Sequence, residues 1–195
     1  MTPPRIPPPG ADSWPLLHAH SLTVRPLRPE DVDLLVRLGL GMTPESRHNR
    51  FLGAVRFTPQ LLERLLHVDF GRDLALVATV ALEGREVPVG VVRYVRLADD
   101  ATAEFAMTVA DAWQGCGIGR LLLERLIGLA RERAIRALVG DVLATNEPML
   151  RLARAAGFAV HPHAEGATLK RIERDLEDEF AAFVGRTAPG TDSEA

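Results

Sequence analysis

Ala103-Glu104-Phe105-Ala106-Met107-Thr108-Val109 is a β-branched and apolar run that leads, through a short polar turn, into Gln114-Gly115-Cys116-Gly117-Ile118-Gly119-Arg120. A leucine-rich segment with helical spacing, Leu121 to Arg133, begins without a gap. Glycines at alternate positions keep Cβ atoms off the loop, so its N–H groups can converge on an anion. A helix behind such a loop adds unpaired first-turn N–H groups and the positive end of its dipole. Strand, glycine loop and helix together predict a seat for a phosphate or pyrophosphate.

Two better-known glycine loops do not fit. The dinucleotide fingerprint places its third glycine where Arg120 stands, and it needs a ribose-binding acid roughly twenty residues on. The P-loop ends in Gly-Lys-Ser/Thr, which the chain lacks. What remains is Gln-x-x-Gly-x-Gly behind a strand.

Downstream, Asn146-Glu147-Pro148-Met149-Leu150-Arg151-Leu152-Ala153-Arg154-Ala155-Ala156-Gly157-Phe158 sets an Asn eleven residues ahead of a Gly-Phe pair. Upstream, Thr23-Val24-Arg25-Pro26-Leu27-Arg28-Pro29-Glu30-Asp31 reads as a first strand entering a first helix. In these segments the chain resembles the GCN5-related N-acetyltransferases (the GNAT family), whose central motif is Gln/Arg-x-x-Gly-x-Gly/Ala. The resemblance covers roughly residues 21 to 176. A narrower likeness is to the acetyltransferase domain of Pat-type bacterial protein lysine acetyltransferases. It is carried by Arg25 to Asp31, Ser46-Arg47-x-x-Arg50-Phe51, Val68-Asp69 and Ala103-Glu104-Phe105-Ala106-x-x-Val109.

The resemblance implies an α/β GNAT fold, a mixed and mostly antiparallel sheet flanked by helices, with its fourth and fifth strands splayed to admit the pantetheine arm. It implies acetyl-CoA as cosubstrate. Main-chain groups of Met107, Thr108 and Val109 would bond the pantetheine. The loop Gln114, Gly115, Cys116, Gly117, Ile118, Gly119 and Arg120 would hold the pyrophosphate, and Asn146 would touch the cofactor from the neighbouring helix. A main-chain N–H at Met107 would meet the thioester oxygen. Glu104 would be the general base, drawing a proton from a lysine ammonium of a protein directly or through water. A small-molecule amine acceptor, or a non-catalytic acetyl-CoA-binding regulatory module, are the alternatives.

Two departures from the family stand out. Many members carry a tyrosine seven residues after the Asn, as acid for the leaving thiolate; here that position is Ala153, and the only tyrosine is Tyr94. The Pat-type enzymes also lack it. Those enzymes usually carry an attached cyclic-nucleotide domain or an acyl-CoA-ligase-like region, which these residues do not contain, so control is expected to come from outside or to be absent. Cys116 stands where a basic or polar side chain is common, and because the loop's contacts are main-chain, cofactor binding should survive it.

Plainer readings exist for each site residue. The glycine loop can be a sharp turn with a helix cap and no ligand. Glu104, an acid in an apolar strand, is costly to bury unless something uses or pairs it. Its bland alternative is an outward-facing strand residue paired to Arg93 or Arg96. Arg47 and Arg50 either line an acceptor groove, where acids flanking a target lysine dock, or lie on the surface. His67 and Asp69 read as auxiliary bases or as an ordinary helix end and turn. His161-Pro162-His163 is too short for a metal site, and no metal is expected.

The totals suit one domain with an ordinary core: 195 residues, 47% apolar and 25% charged. A net charge of −3 gives no reason to invoke nucleic acid or an anionic membrane. One cysteine excludes an internal disulfide. No apolar run approaches the roughly eighteen residues of a membrane span, and prolines occupy the place of a signal-peptide core. A cytoplasmic monomer or homodimer is the expectation.

Residues 1–20 form a proline-rich segment expected to be disordered, 21–180 the acetyltransferase domain, and 181–195 a loose tail. Strands are expected at Ser21 to Leu27, Leu74 to Leu82, Val87 to Leu97, Ala103 to Val109, Arg136 to Ala144, Phe158 to Val160 and Ala167 to Leu176. Leu74 to Leu82 has the unbroken apolar pattern of a strand buried on both faces. Helices are expected after Pro29, from Pro59 to His67 behind a Thr58 cap, and from Pro148 to Ala156 with Gly157 as its cap, while Thr43 to Phe51 reads as a capped short helix or a loop.

Overall fold

The computed structural model describes residues 12–15, 21–53, 58–69 and 72–177. Its strands are β1 (Asp12–Pro15), β2 (Ser21–Pro26), β3 (Leu74–Leu82), β4 (Arg85–Arg96), β5 (Thr102–Val109), β6 (Ala137–Leu143), β7 (Ala159–His163) and β8 (Gly166–Asp175). The helices are α1 (Val32–Leu40), α2 (Pro44–Phe51), α3 (Pro59–Leu66), α4 (Ile118–Glu132) and α5 (Glu147–Ala155). The strands form one sheet in the order β1-β2-β3-β4-β5-β6-β8-β7. Every neighbouring pair is antiparallel except β5 and β6, which the α4 crossover makes parallel.

Two departures from the sequence reading concern the ends of elements. Asp12–Pro15 pair with β2 as an edge strand, with Asp12 opposite Val24 and Pro15 opposite Ser21, so disorder does not extend through the whole proline-rich segment. A proline is tolerated there because an edge strand leaves one side of its ladder unused. The rest of residues 1–20, and the tail from residue 178 on, lie outside the described residues. Helix α4 begins at Ile118 rather than Leu121, with left-handed Gly117 (φ +85°) as its N-cap.

β3 is buried on both faces, as its apolar run requires. Leu74, Leu76, Ala78 and Val80 join the main core with α4, α5 and Tyr94. Ala75 and Val77 pack on the opposite face with Leu27, Leu35, Leu65 and Leu66, under α1 and α3. The register of β3 on β4 shifts at Ala78/Thr79, where β4 carries one extra residue next to Pro88. A bulge is where an interior strand can hold a residue with no N–H to give.

One corner of this sheet is closed by a polar network. Arg25 donates through Nη1 and Nη2 to the two Asp31 oxygens, both at 2.8 Å, and through Nε and Nη2 to Glu86 at 3.1 and 3.2 Å. Asp31 also accepts from the Arg28 N–H at 2.7 Å, and Glu86 from the Thr79 hydroxyl at 2.9 Å. Burial acts to raise the Asp31 carboxyl, but the hydrogen bonds and charge of Arg25 with the Arg28 N–H outweigh it, and the pKa ends below the usual value. Arg25 and Asp31 are the two ends of the Arg-Pro-Leu-Arg-Pro-Glu-Asp segment, so the motif is a structural clamp across the first strand and helix.

Candidate active site

The parallel pairing of β5 with β6 is brief: Thr102, Ala103 and Glu104 lie opposite Ala137, Leu138 and Val139, and there it stops. Beyond that point the two strands diverge, β5 toward Val109 and β6 toward Leu143. The expected splay is present, and because β1 precedes the strands counted from sequence it lies between β5 and β6. Gly140 sits at the apex. A Cβ there would stand 3.2 Å from the Phe105 carbonyl oxygen, tighter than ordinary contact, so a glycine lets the strands meet and then part.

The direction of the backbone groups in this fork follows from the ladder on the other side. Leu97 N–H donates to the Thr102 carbonyl at 2.8 Å and Ala110 N–H to the Val89 carbonyl at 2.9 Å, which bracket β5. Backbone groups alternate in direction along a strand, so Glu104, Ala106 and Thr108 turn theirs toward β4. Phe105, Met107 and Val109 turn theirs toward β6, which is no longer within pairing register at Met107 and Val109. The N–H and C=O of Met107 and the N–H of Val109 therefore face the fork with no strand partner. Thr108 corrects the sequence reading: its main chain belongs to the β4 ladder, and only its side chain can reach the groove.

The loop after β5 is fastened by the Gln114 side chain of the motif and by an acid that the sequence reading did not single out. Gln114 Nε2 donates to the Val109 carbonyl at 3.2 Å and to Asp111 Oδ1 at 3.1 Å. Asp111 also accepts from the Thr43 N–H at 2.8 Å and from the Ser46 hydroxyl. Since Thr43 is the N-cap of α2 and its Oγ1 accepts from the Ser46 N–H at 3.2 Å, one carboxylate ties the start of α2 to the end of β5. No motif announces Asp111; only its place between the strand and the glycines hints at it.

Gly115 and Gly117 have φ of +76° and +85°, and a Cβ on either would meet nothing within 4 Å, so both face open space. Gly117 caps α4 without any side-chain hydrogen bond. The first intrahelical bond runs from Leu121 N–H to the Gly117 carbonyl at 3.1 Å. The N–H groups of Ile118, Gly119 and Arg120 are thus left to an external acceptor. Gly119 serves packing instead, its hydrogen facing Leu152, Met107 and Val109 at 3.4 to 3.6 Å from a built Cβ.

A groove of about 650 Å³ runs through the fork from one face of the sheet to the other. On the α4–α5 side its walls include Gly115, Gly117, Gly119, Arg120, Asn146 and Met149; on the α2 side, Met42, Ser46, Asn49 and Arg50. Met107, Thr108, Val109 and Gln114 join them in the middle. Asn146 has a second duty, because its Oδ1 caps α5 by accepting the Met149 N–H at 3.2 Å, which leaves its amide donors for the groove.

Three of the expected site residues are not on the groove wall. The Ile118 side chain is buried at 1% exposure in the main core and offers only its backbone. Cys116 is exposed, its thiol 3.7 Å from the Gln114 carbonyl. Glu104 is exposed and stands opposite Val95, on the same strand face as Ala106 and Thr108, one pleat away from the wall residue Ala106. The premise that its carboxylate is a costly burial is therefore corrected. Its bland alternative holds as to an outward-facing side chain but not as to the pairing: Arg93 donates to the carbonyls of Arg64 and Leu65, both at 3.3 Å, and Arg96 to that of Asp100, and neither pairs with Glu104 among the described residues. Tyr94 is wholly buried in the main core and cannot serve as the missing acid.

A forked sheet with a bare helix N-terminus at its mouth is the GNAT arrangement, and the profile of the Acetyltransferase (GNAT) family matches residues 46–158. The chain belongs to this family. It is 35% identical to an acetyltransferase of Pseudomonas aeruginosa over 69% of this chain and 73% of that one. It is 34% identical to the acetyltransferase Pat of Mycolicibacterium smegmatis over 66% of this chain, but that match spans only 38% of Pat. Among solved structures, the GNAT domain of S. lividans PAT superposes with a TM-score of 0.76 at 30% identity, covering 85% of this chain and 97% of that domain. No described helix is long and apolar enough to cross a membrane.

Proposed function

We propose that the chain transfers acetyl from acetyl-CoA to a lysine amine of a protein, acting in the cytoplasm, by direct attack with Glu104 as general base. The observation that carries this reading is the fork. Unpaired backbone groups at Met107 and Val109 lead straight to a glycine loop and helix N-terminus that lack a side-chain cap. A pantetheine arm has two amides, and it would complete the open edge of β5 as a short added strand does. Its pyrophosphate would then reach the N–H groups of Gly117 to Arg120, where open space beside Gly115 and Gly117 leaves room for it. Likeness to Pat and to the GNAT domain of PAT supports a protein lysine as acceptor.

Acetyl-CoA supplies the acetyl group activated as a thioester. The chain's own groups do the rest. Met107 N–H, fixed by the β4 ladder on either side of it, stands where an oxygen gaining charge is stabilised. Glu104 takes the proton that the lysine ammonium must lose before its nitrogen can attack, and its position one pleat from the wall suits transfer through a water. The carbon–sulfur bond then breaks with the thiolate leaving unassisted by a protein acid, since Ala153 and buried Tyr94 provide none, and the second proton of the attacking nitrogen passes to water or to the departing thiolate.

The test is turnover of lysine peptides and proteins with acetyl-CoA, followed by mass spectrometry, in wild type and Glu104→Gln. The variant is expected to lose kcat by about 10²- to 10⁴-fold, with acetyl-CoA affinity within about twofold of wild type because Glu104 is off the cofactor path. Unchanged kcat would remove Glu104 from its role, and acetyl-CoA binding without transfer to any amine would favour a binding module.

A further inference from the structure

The α2 end of the groove holds a cation with no counter-ion among the described residues. Arg50, in the last turn of α2, lines the groove with Asn49, Ala106 and Thr108. Its guanidinium lies 4.9 Å from the centre of the Phe51 ring. No hydrogen-bond acceptor or carboxylate among the described residues reaches it, yet it is not among the buried polar atoms sealed from solvent. Other partly covered arginines are engaged: Arg25 by two carboxylates, Arg171 by Asp141 at 2.8 Å, and Arg93 by the carbonyls ending α3.

Arg93 makes the situation of Arg50 worse. It sits on β4 opposite Ala106, on the face that α2 covers, and it lines a smaller hollow together with Arg50, Met42 and Thr108. Burial first, and the Arg93 charge second, push the Arg50 pKa down to about 10. A guanidinium held half out of water beside a like charge is unfavourable unless an anion arrives. The anion's place is not taken by the cofactor, whose phosphates belong at the Gly115–Arg120 end of the groove.

We propose that Arg50 is a receptor for a carboxylate carried by the acceptor, an Asp or Glu side chain near the target lysine, and that it sets acceptor choice. The inference rests on the acceptor entering the fork from the α2 face. The planar fork of guanidinium donors matches a carboxylate with two parallel hydrogen bonds, which a lysine amine or a neutral amide cannot reproduce.

The test uses end-blocked peptides with a single lysine, carrying Glu or its isostere Gln at each flanking position in turn. For at least one position, wild type should show kcat/KM about tenfold or more higher for Glu than for Gln, the size of a charge-assisted hydrogen bond. Arg50→Gln should bring the ratio to near one, and Arg50→Lys should restore part of it. Equal rates for the two peptides in wild type, or a preference that survives Arg50→Gln, would overturn the assignment. An Arg50-dependent preference for free amino acids over their amides, with none among peptides, keeps the receptor and replaces the protein by a small acceptor.

A second readout needs no turnover. With CoA bound, the Arg50 Nε–Hε resonance, assigned by its loss in Arg50→Gln, should shift on adding glutarate or the preferred Glu peptide, and not the Gln peptide. No shift removes the carboxylate site whether or not any amine is acetylated. A shift without acetylation of any amine keeps the site and sinks the transferase reading.

Discussion

At the corner where β2, β3 and β4 meet, the Arg25 guanidinium gives two hydrogen bonds to Asp31 and two to Glu86, and each carboxylate takes a further donor. At the other end, Arg50 has an aromatic ring and a like charge for neighbours, and along the same groove Met107 and Val109 turn unused N–H groups into the fork. Both regions belong to one sheet and one chain. At the corner each charged group is paired, as buried polar groups are when they serve the fold alone. Where they are left unsatisfied together, beside a groove, a ligand is the economical reason, and the contrast between corner and fork locates it.

The contrast is tested most strongly by removing the two arginines. Arg25→Met breaks a buried pair and strands Asp31, so unfolding by urea should show a loss of about 3–5 kcal/mol. Arg50→Met removes a charge that no carboxylate among the described residues balances, and should change stability by less than about 1 kcal/mol in either direction. Similar losses for the two would mean that Arg50 has a structural partner after all.

A smaller effect separates two left-handed glycines. Gly84, in the β3–β4 turn at φ +74°, and Gly117 at φ +85° would both be strained by valine, each costing about 1–2 kcal/mol of stability. Only Gly117→Val should also weaken acetyl-CoA binding, by roughly 10- to 100-fold in titration calorimetry, because its side chain would enter the phosphate seat. Equal affinities for the two variants would place the cofactor elsewhere.

Weaker still is the tether. Gln114→Leu keeps the bulk of the side chain and loses the hydrogen bonds to Val109 and Asp111, so acetyl-CoA affinity should fall by about fivefold, the worth of one net hydrogen bond. The last difference is one of pH. The lowered pKa of Asp31 gives stability that is complete above the ordinary aspartate value and is lost as pH falls through the lowered one. Urea midpoints measured from neutral pH down through about pH 3 should fall more steeply in wild type than in Asp31→Asn. Parallel curves would deny the clamp its electrostatic role.

Much of this was legible in the residues. The apolar run Leu74–Leu82 is β3 to the residue, because a strand buried on both faces over its first seven residues is written in nearly continuous apolar side chains. Thr43 and Thr58 cap α2 and α3 as their type and spacing require. The glycine loop was legible as a loop with room for a ligand, because glycine is the residue that readily accepts two left-handed positions so close together. Other features are tertiary and leave no local trace. Backbone direction in β5 depends on which neighbour it pairs, so the residues do not announce that the Thr108 main chain turns to β4 and not to the groove. Glu104 read as buried because its sequence neighbours are apolar, whereas alternation along the strand puts its side chain on the other face from buried Ala103 and Phe105, where it is exposed. Asp111, a single acid in a short turn, becomes a hub only when α2 folds over it. Arg50 was visible as a candidate, but its lack of a partner is a fact of packing.

The central claim is that the amides of the fork and of the α4 N-terminus bind acetyl-CoA. Hydrogen–deuterium exchange by mass spectrometry, with and without saturating acetyl-CoA, reads those amides directly. Slower exchange confined to peptides covering Met107–Val109 and Gln114–Leu121 is the predicted result. Unchanged exchange in both segments, with protection elsewhere or nowhere, would contradict it.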